Sequence, residues 1–275
     1  MTTSLQSTLE LNNGVEIPVL GLGVFRSPPG RKTQQAALEA LTVGYRHIDT
    51  AHIYGNERDV GEAIRRSEIP RNQVFVTSKL WNTDHGYDRV LRAFDKTLGE
   101  MGFDQLDLYL VHWPVQGLRK ETWRAMEALQ RDGKCRAIGV SNYTVRHLSE
   151  LLASCQIPPA VNQVELHPFL YQHELISFCT QNRIAVEAYS PLAKAQRMDD
   201  PTLRDVAQGH GKTPAQVMIR WALQHGLIAI PKSVRKDRIR ENANVFDFQL
   251  SAVEMERLDA LNEDLRTAWD PSQAA

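Results

Sequence analysis

Three cysteines are too few, and an odd number, for a disulfide framework in a chain of 275 residues. Cys135, Cys155 and Cys179 lie far apart and form no C-x-x-C pair, so a zinc knuckle is excluded too, leaving ordinary thiols of a reducing cytoplasm. No apolar run approaches the ~20 residues a bilayer-spanning helix needs. Residues 1–14 lack the basic segment and apolar core of a secretory signal, and the expected location is the cytoplasm. Charge of one sign is missing as well. With 32 Lys+Arg against 33 Asp+Glu the net charge is −1, and no global field draws the chain to nucleic acid or an anionic membrane. Nine histidines are present, but none stands in an H-E-x-x-H or H-x-x-E-H pattern that would group metal ligands. No repeat, low-complexity tract or Pro/Gly/Ser linker divides the sequence, so 1–275 reads as one domain, and no exposed apolar seam argues for anything but a monomer.

What is there is ordinary globular composition, 42% hydrophobic and 24% charged, at a length typical of single α/β barrels. Asn12-Asn13-Gly14 separates two short alternating runs, which predicts an N-terminal β-hairpin closed by a type I′ turn at Asn-Gly. Apolar runs near 19–24, 45–49, 74–78, 106–111, 136–140, 161–164, 184–188 and 227–230 then alternate with helical spacing. In 88–101, Val90, Leu91, Phe94, Leu98 and Met101 share one face. Thr213-Pro214 opens a helix that stops at Gly226, and Ser251-Ala-Val-Glu254 is a capping box opening an extra C-terminal helix.

Eight strands alternating with helices fit a barrel or an open doubly wound sheet. Gly21-Leu-Gly23 resembles a dinucleotide-binding turn, but its third glycine position is Arg26, and Ser27-Pro-Pro-Gly30 follows where a helix would have to start. A (β/α)8 TIM barrel is therefore expected, with its chemistry at the C-terminal ends of the strands.

Four polar residues stand at or just beyond those ends: Asp49, Tyr54, Lys79 and His112. Taken singly they read as a structural ion pair, a rim aromatic and a core histidine. Together they suit carbonyl reduction. A phenol with an ordinary pKa near ~10 is a weak acid. A neighbouring lysine ammonium is expected to lower that value, an aspartate to keep the lysine charged, and a histidine to orient the substrate oxygen. None of these groups carries a hydride, so a cofactor must supply it. Two alternatives use the same residues. Lys79 could form a Schiff base in a lyase, but Asp49 opposes the neutral lysine this needs. A non-catalytic NADPH-binding sensor or subunit would not require all four.

The segments Gly44-Tyr-Arg-His-Ile-Asp-Thr-Ala-His-Ile-Tyr-Gly-Asn-Glu57, Lys79-Leu-Trp81, Val111-His-Trp-Pro114 and Gly139-Val-Ser-Asn142 resemble the aldo-keto reductase superfamily, from the hairpin to about Phe248, and most of all its bacterial 2,5-diketo-gluconate and glyoxal reductases. The resemblance implies that Asp49, Tyr54, Lys79 and His112 form the catalytic tetrad and that NADPH reduces small or polar carbonyls such as 2-oxoaldehydes or keto-sugar acids. It places Ser141, Asn142 and Gln163 at the nicotinamide carboxamide, Tyr189 on the ring, and Ser190 and Leu192 at the pyrophosphate. Lys232, Ser233 and Arg238 would hold the 2′-phosphate and Asn242 the adenine, with Gly23, Val24, Val234 and Glu241 also lining the cofactor site. Lys236 and Arg240 read as a solvated basic face, and Glu165 and His167 as structural. Phe25, Trp81 and Trp113 would form apolar walls around the carbonyl, beside Tyr54 and His112. A short Val115–Lys120 loop and a short tail after Trp269 predict an open mouth that the tail does not cover.

Overall fold

The computed structural model describes residues 4–274. An antiparallel hairpin, β1 (Thr8–Glu10) and β2 (Glu16–Pro18), precedes eight parallel strands: β3 (Leu22–Gly23), β4 (His47–Asp49), β5 (Phe75–Leu80), β6 (Leu106–Val111), β7 (Cys135–Ser141), β8 (Val161–Glu165), β9 (Ala185–Tyr189) and β10 (Ile228–Ala229). These pair in sequence order from β3 to β10. Parallel bridges Leu20↔Ala229 and Gly23↔Lys232 join the first strand region to the last and close the barrel. That seam is tight: a Cβ on Gly23 would sit 2.9 Å from the Ile230 carbonyl oxygen, and one on Gly21 2.7 Å from His47 Nδ1.

The helices are α1 (Arg31–Val43), α2 (Glu57–Arg66), α3 (Tyr87–Met101), α4 (Arg119–Arg131), α5 (Val145–Leu152), α6 (His173–Gln181), α7 (Pro201–Gly209), α8 (Pro214–Gln224), α9 (Lys236–Ala243) and α10 (Ala252–Asp259). The expected starts are present: Thr213 and Ser251 each complete a capping box, with Pro214 in the first turn of α8. On α3, Val90, Phe94 and Met101 are fully buried, while Leu91 and Leu98 are partly buried against the same core. No helix among the described residues is long and apolar enough to cross a membrane.

Alternation along the strands builds two cores. Val76, Tyr109, Val111, Ile138, Val140, Val164, Val186 and Ala188 pack outward in the cluster shared with the helices. Phe75, Leu108, Leu110, Ala137, Val161 and Ile228 form a separate inner cluster, completed by Leu11 and Ile17 of the hairpin. The hairpin is thus the floor of the barrel, fastened by Asn12 Nδ2 to the Pro159 carbonyl and Asn13 Nδ2 to the Arg136 carbonyl, each at 3.0 Å.

Its turn differs from the expected type I′. Register pairs Glu10 with Glu16, and Leu11 N donates to Val15 O, leaving a three-residue loop. Gly14 N bonds to Leu11 O, and of the loop residues only Gly14 has a positive φ, +79°. This is a turn with negative φ at both asparagines followed by a left-handed glycine, the other common hairpin solution.

Candidate active site

Above the apolar inner cluster the inward-facing positions turn polar. Asp49 is the last residue of β4, and Lys79 lies opposite Leu110 near the end of β5. Lys79 is fully buried and donates to Asp49 Oδ1 and Oδ2 at 2.7 Å each and to the Thr50 carbonyl at 2.8 Å. All three ammonium hydrogens are therefore used, as burial of a charge requires. Burial pulls the Asp49 carboxyl above its ordinary value, opposed by Lys79 and by Gln163.

Tyr54 lies on a single 3₁₀ turn, His52–Tyr54, ended by Gly55 at φ +66°. Asn56 fixes this turn to the rest of the mouth. It accepts from Thr50 Oγ1 at 2.7 Å and donates to the Val24 and Ser27 carbonyls at 3.1 and 3.3 Å. The tyrosine ring has Lys79 Nζ at 5.2 Å, the Phe25 ring at 5.0 Å and the His112 ring at 5.8 Å. So the four residues of the sequence argument converge on one mouth.

The phenol departs from expectation. Its pKa lies well above the ordinary value, first because of burial and then because of the negative charge of Asp49, with Glu187 adding to the rise when it is ionised; the Lys79 ammonium is spent on Asp49 and Thr50. Tyr54 is thus held as a neutral proton carrier. His112, just past β6, is held well below its ordinary value by burial and by Lys79, so its imidazole is neutral. Its carbonyl accepts from Asn142 Nδ2 at 3.0 Å.

The residues expected around a nicotinamide form a connected shelf beside this group. Ser141 Oγ donates to the Gln163 carbonyl at 2.8 Å, and Asn142, at φ +64°, accepts from the Tyr189 hydroxyl at 2.8 Å. Gln163 Nε2 donates to Asp49 Oδ2 and Glu187 Oε2, both at 2.8 Å, which directs its Oε1 away from the carboxylates. Ser190, at φ +47°, and half-buried Leu192 continue along the rim.

At the barrel seam, Gly23 and Val24 adjoin the segment from Lys232 to Asn242 through the Gly23↔Lys232 bridge. Ser233 and Asn242 are buried, Val234 is half-buried, and Glu241 accepts from Thr213 Oγ1 at 2.6 Å. The cations of this stretch divide into two groups. Arg235 pairs with Asp237, and Lys236 and Arg240 pair with Glu39. Lys232 and Arg238 are exposed and have no ion pair among the described residues. Partial burial and the adjacent Arg26 lower the Lys232 ammonium. Arg26 escaped the sequence reading; its only signal there was a cation in the fingerprint position.

Phe25 packs on Tyr54 at 5.0 Å, and Trp113 follows His112 directly in sequence. Trp81 packs on His112 at 5.2 Å, and Phe25 is 45% exposed. The tail, contrary to expectation, also reaches the mouth. Trp269 stacks against Trp113 at 5.8 Å, and Glu165 receives Thr267 N, Thr267 Oγ1 and Ala268 N, while Lys194 Nζ holds the Thr267 carbonyl. Glu165 thus serves as the tail's anchor, a structural task; His167 is wholly buried beside it.

A closed parallel barrel with a buried Asp–Lys pair, a protonated phenol and a neutral imidazole at its C-terminal mouth defines a class of oxidoreductase. The chain belongs to the aldo/keto reductase family, whose model matches residues 19–263. It is 50% identical to a glyoxal reductase of Bacillus subtilis over 99% of each chain, and 52% identical to an uncharacterized oxidoreductase, YtbE, of the same organism over 98% of each. Among solved structures it resembles an aldo-keto reductase from a Medee basin deep-sea metagenome (TM-score 0.94, 43% identity, 97% of this chain and 99% of that one). It also resembles a Bombyx mori aldo-keto reductase in complex with NADP (TM-score 0.90, 35% identity, 97% and 95% covered).

Proposed function

We propose that this enzyme reduces small or polar aldehydes and ketones, 2-oxoaldehydes and keto-sugar acids foremost, with NADPH as reductant and Tyr54 as general acid. The observation that carries the reading is the Tyr54 ring set between the His112 ring at 5.8 Å and the fully bonded Lys79–Asp49 pair, with Lys79 Nζ at 5.2 Å. NADPH, when bound, supplies the hydride. Tyr54 Oη gives its proton to the substrate oxygen as that oxygen becomes an alkoxide, a much stronger base than a phenolate. The Lys79 ammonium, 5.2 Å from the ring, offsets the charge left on Tyr54. His112 orients the carbonyl, and the aromatic rim of Phe25, Trp81 and Trp113 excludes water.

The residues fit this cofactor. Gln163 turns an amide acceptor outward, next to Ser141 and Asn142, where a carboxamide needs one. Tyr189 flanks that position. Lys232 and Arg238 are cations without counterions in a strand-end-to-helix segment, whereas their neighbours Lys236 and Arg240 are neutralised by Glu39. That contrast favours a phosphomonoester at Lys232 and Arg238, and so NADPH over NADH. The choice of small oxoaldehydes draws on the glyoxal reductase relative.

The test follows NADPH absorbance with methylglyoxal, glyoxal, 2,5-diketo-gluconate and an aryl aldehyde, using the wild type and Tyr54→Phe. Oxidation that vanishes in Tyr54→Phe supports the reading. Wild-type rates in that variant overturn the acid assignment, and NADPH binding without turnover of any carbonyl overturns the reductase in favour of a cofactor-binding sensor or subunit.

A further inference from the structure

Below the mouth lies a second carboxyl that the reaction as described does not use. Glu187, in the middle of β9, is wholly buried and points into the barrel between Gln163 and His47. The groups that face it are His47 and Asp49 of β4, Lys79 of β5 and Gln163 of β8, with the Tyr54 phenol above; its register partner on β10 is the apolar Ile228. Lys79 gives all three hydrogens to Asp49 and Thr50 and has none for Glu187. His47 bonds Thr77 Oγ1 through Nε2 at 3.0 Å, and burial drives its imidazole down to about 3, so it brings no positive charge. Glu187 is left with one neutral donor, Gln163 Nε2, on Oε2, while Oε1 has no hydrogen-bond partner among the described residues and lies 3.6 Å from His47 Nε2.

Two carboxyl groups share one ammonium and one amide in the buried interior. A carboxylate with a single neutral hydrogen bond beside another carboxylate is relieved most simply by taking up a proton. Asp49 owns the ammonium, so the proton belongs to Glu187.

We propose that Glu187 is a positioning residue of the reduction, carrying a proton beneath the tetrad and, through Gln163, fixing which end of that amide faces the nicotinamide. The proposal rests on the carbonyl-reductase reading for its consequence but not for its structural core. With the Glu187 proton on the unpartnered Oε1, Glu187 Oε2 and Asp49 Oδ2 both accept from Gln163 Nε2 and so exclude the flipped amide, which would set its oxygen against two acceptors. Neutrality at Glu187 matters for Tyr54, because a second negative charge under the phenol opposes phenolate formation as the proton leaves. Burial and the Asp49 charge raise the Glu187 carboxyl to about 8. Turnover in the reducing direction is then expected to fall as pH passes that region and Glu187 ionises.

Two readouts test this. Infrared spectra of the cofactor-free protein at pH 6.5 should contain the C=O stretch of a buried protonated carboxyl, absent in Glu187→Gln and lost from the wild type as pH rises past about 8. A wild type and Glu187→Gln with identical spectra in that band would overturn the proposal, whatever the enzyme's activity. In kinetics, each protein's kcat is normalised to its own value at pH 6.5. The wild type should show a fall near pH 8 that Glu187→Gln lacks, and superimposable profiles would refute the link to Tyr54. Glu187→Met, which cannot hold the amide of Gln163, should weaken NADPH binding about tenfold in fluorescence titration, and Glu187→Gln should restore most of it. Equal affinity in Met and Gln variants would reject the orienting role. Failure of Tyr54→Phe to lose activity would instead strike the reductase reading and leave the infrared result standing.

Discussion

The two halves of the barrel interior are built from the same strands and the same inward-facing positions, yet they have opposite chemistry. The lower half holds Phe75, Leu108, Leu110, Val161 and Ile228 over a floor of Leu11 and Ile17 from the hairpin. The polar half holds Asp49, Lys79, Gln163 and Glu187, all buried and joined by hydrogen bonds, with buried His47 bonded to Thr77 beside them. The apolar half contributes stability by burial. The polar half gives up part of that contribution, since well-packed apolar side chains in place of buried ions are often neutral or stabilising. It keeps instead charges and protons in fixed places, which reaction chemistry needs and a dry core does not.

The comparison breaks first at Tyr54. Tyr54→Phe should lower kcat about 10³-fold, within the usual worth of a general acid, and leave the melting temperature nearly unchanged. Steady-state rates beside a thermal melt separate the two quantities. Ile17→Ala, on the floor, should do the reverse. Removing this fully buried side chain should cost roughly 2–5 kcal/mol in urea unfolding, with kcat per folded molecule preserved. A large drop in kcat there would mean that the floor and the mouth are not independent.

The polar half should also show itself in stability against pH. Glu187 rises from an ordinary 4.5 to about 8 on folding, so the folded state binds more protons than the unfolded between those limits. Its contribution is present in full below the ordinary carboxyl range and is lost as pH climbs through about 8. Wild type should therefore lose stability relative to Glu187→Gln over that window, by an amount on the order of 5 kcal/mol for the full shift. A difference that stays flat with pH would place the proton elsewhere. The smallest expected effect sharpens the picture at the seam: Lys232→Ala should weaken NADPH about tenfold and NADH hardly at all, as a lost charge-assisted contact predicts. Equal weakening would remove the phosphate assignment.

Much of this was legible in the chain. Strand positions, the capping boxes at Thr213 and Ser251 and the meeting of Asp49, Tyr54, Lys79 and His112 follow from periodicity and from the side chains at strand ends. What stayed hidden depends on partners far away in sequence. Whether the hairpin closes with two residues or three is decided by the Glu10↔Glu16 register, which the Asn-Asn-Gly signal does not carry. The carboxyl beneath Tyr54 is that of Glu187, a lone acid in Ala185-Val-Glu-Ala-Tyr189 that reads as unremarkable until the barrel curls it inward. Likewise Glu165 gives no hint that Thr267 and Ala268 will dock on it. The division of cations at 232–240 is invisible too, because Glu39 reaches them from α1.

The closing seam has a consequence for how the chain comes to be folded. Leu20 pairs with Ala229, and Gly23, already beside Asp49 on one side, pairs with Lys232 on the other, so the seam joins residues from opposite ends of the barrel sequence. During synthesis the strands from β3 to β9 can zip together one after another, each beside its predecessor, but the ring cannot shut until the last strand has left the ribosome. Until then the growing sheet carries an unpaired edge at each side, exposed to wrong partners. The hairpin and its docking asparagines are among the first residues made, so a floor on which the curved sheet can gather is available early. The final parallel strand then acts as the latch, and the cell's risk of misassembly is concentrated in the interval before it arrives.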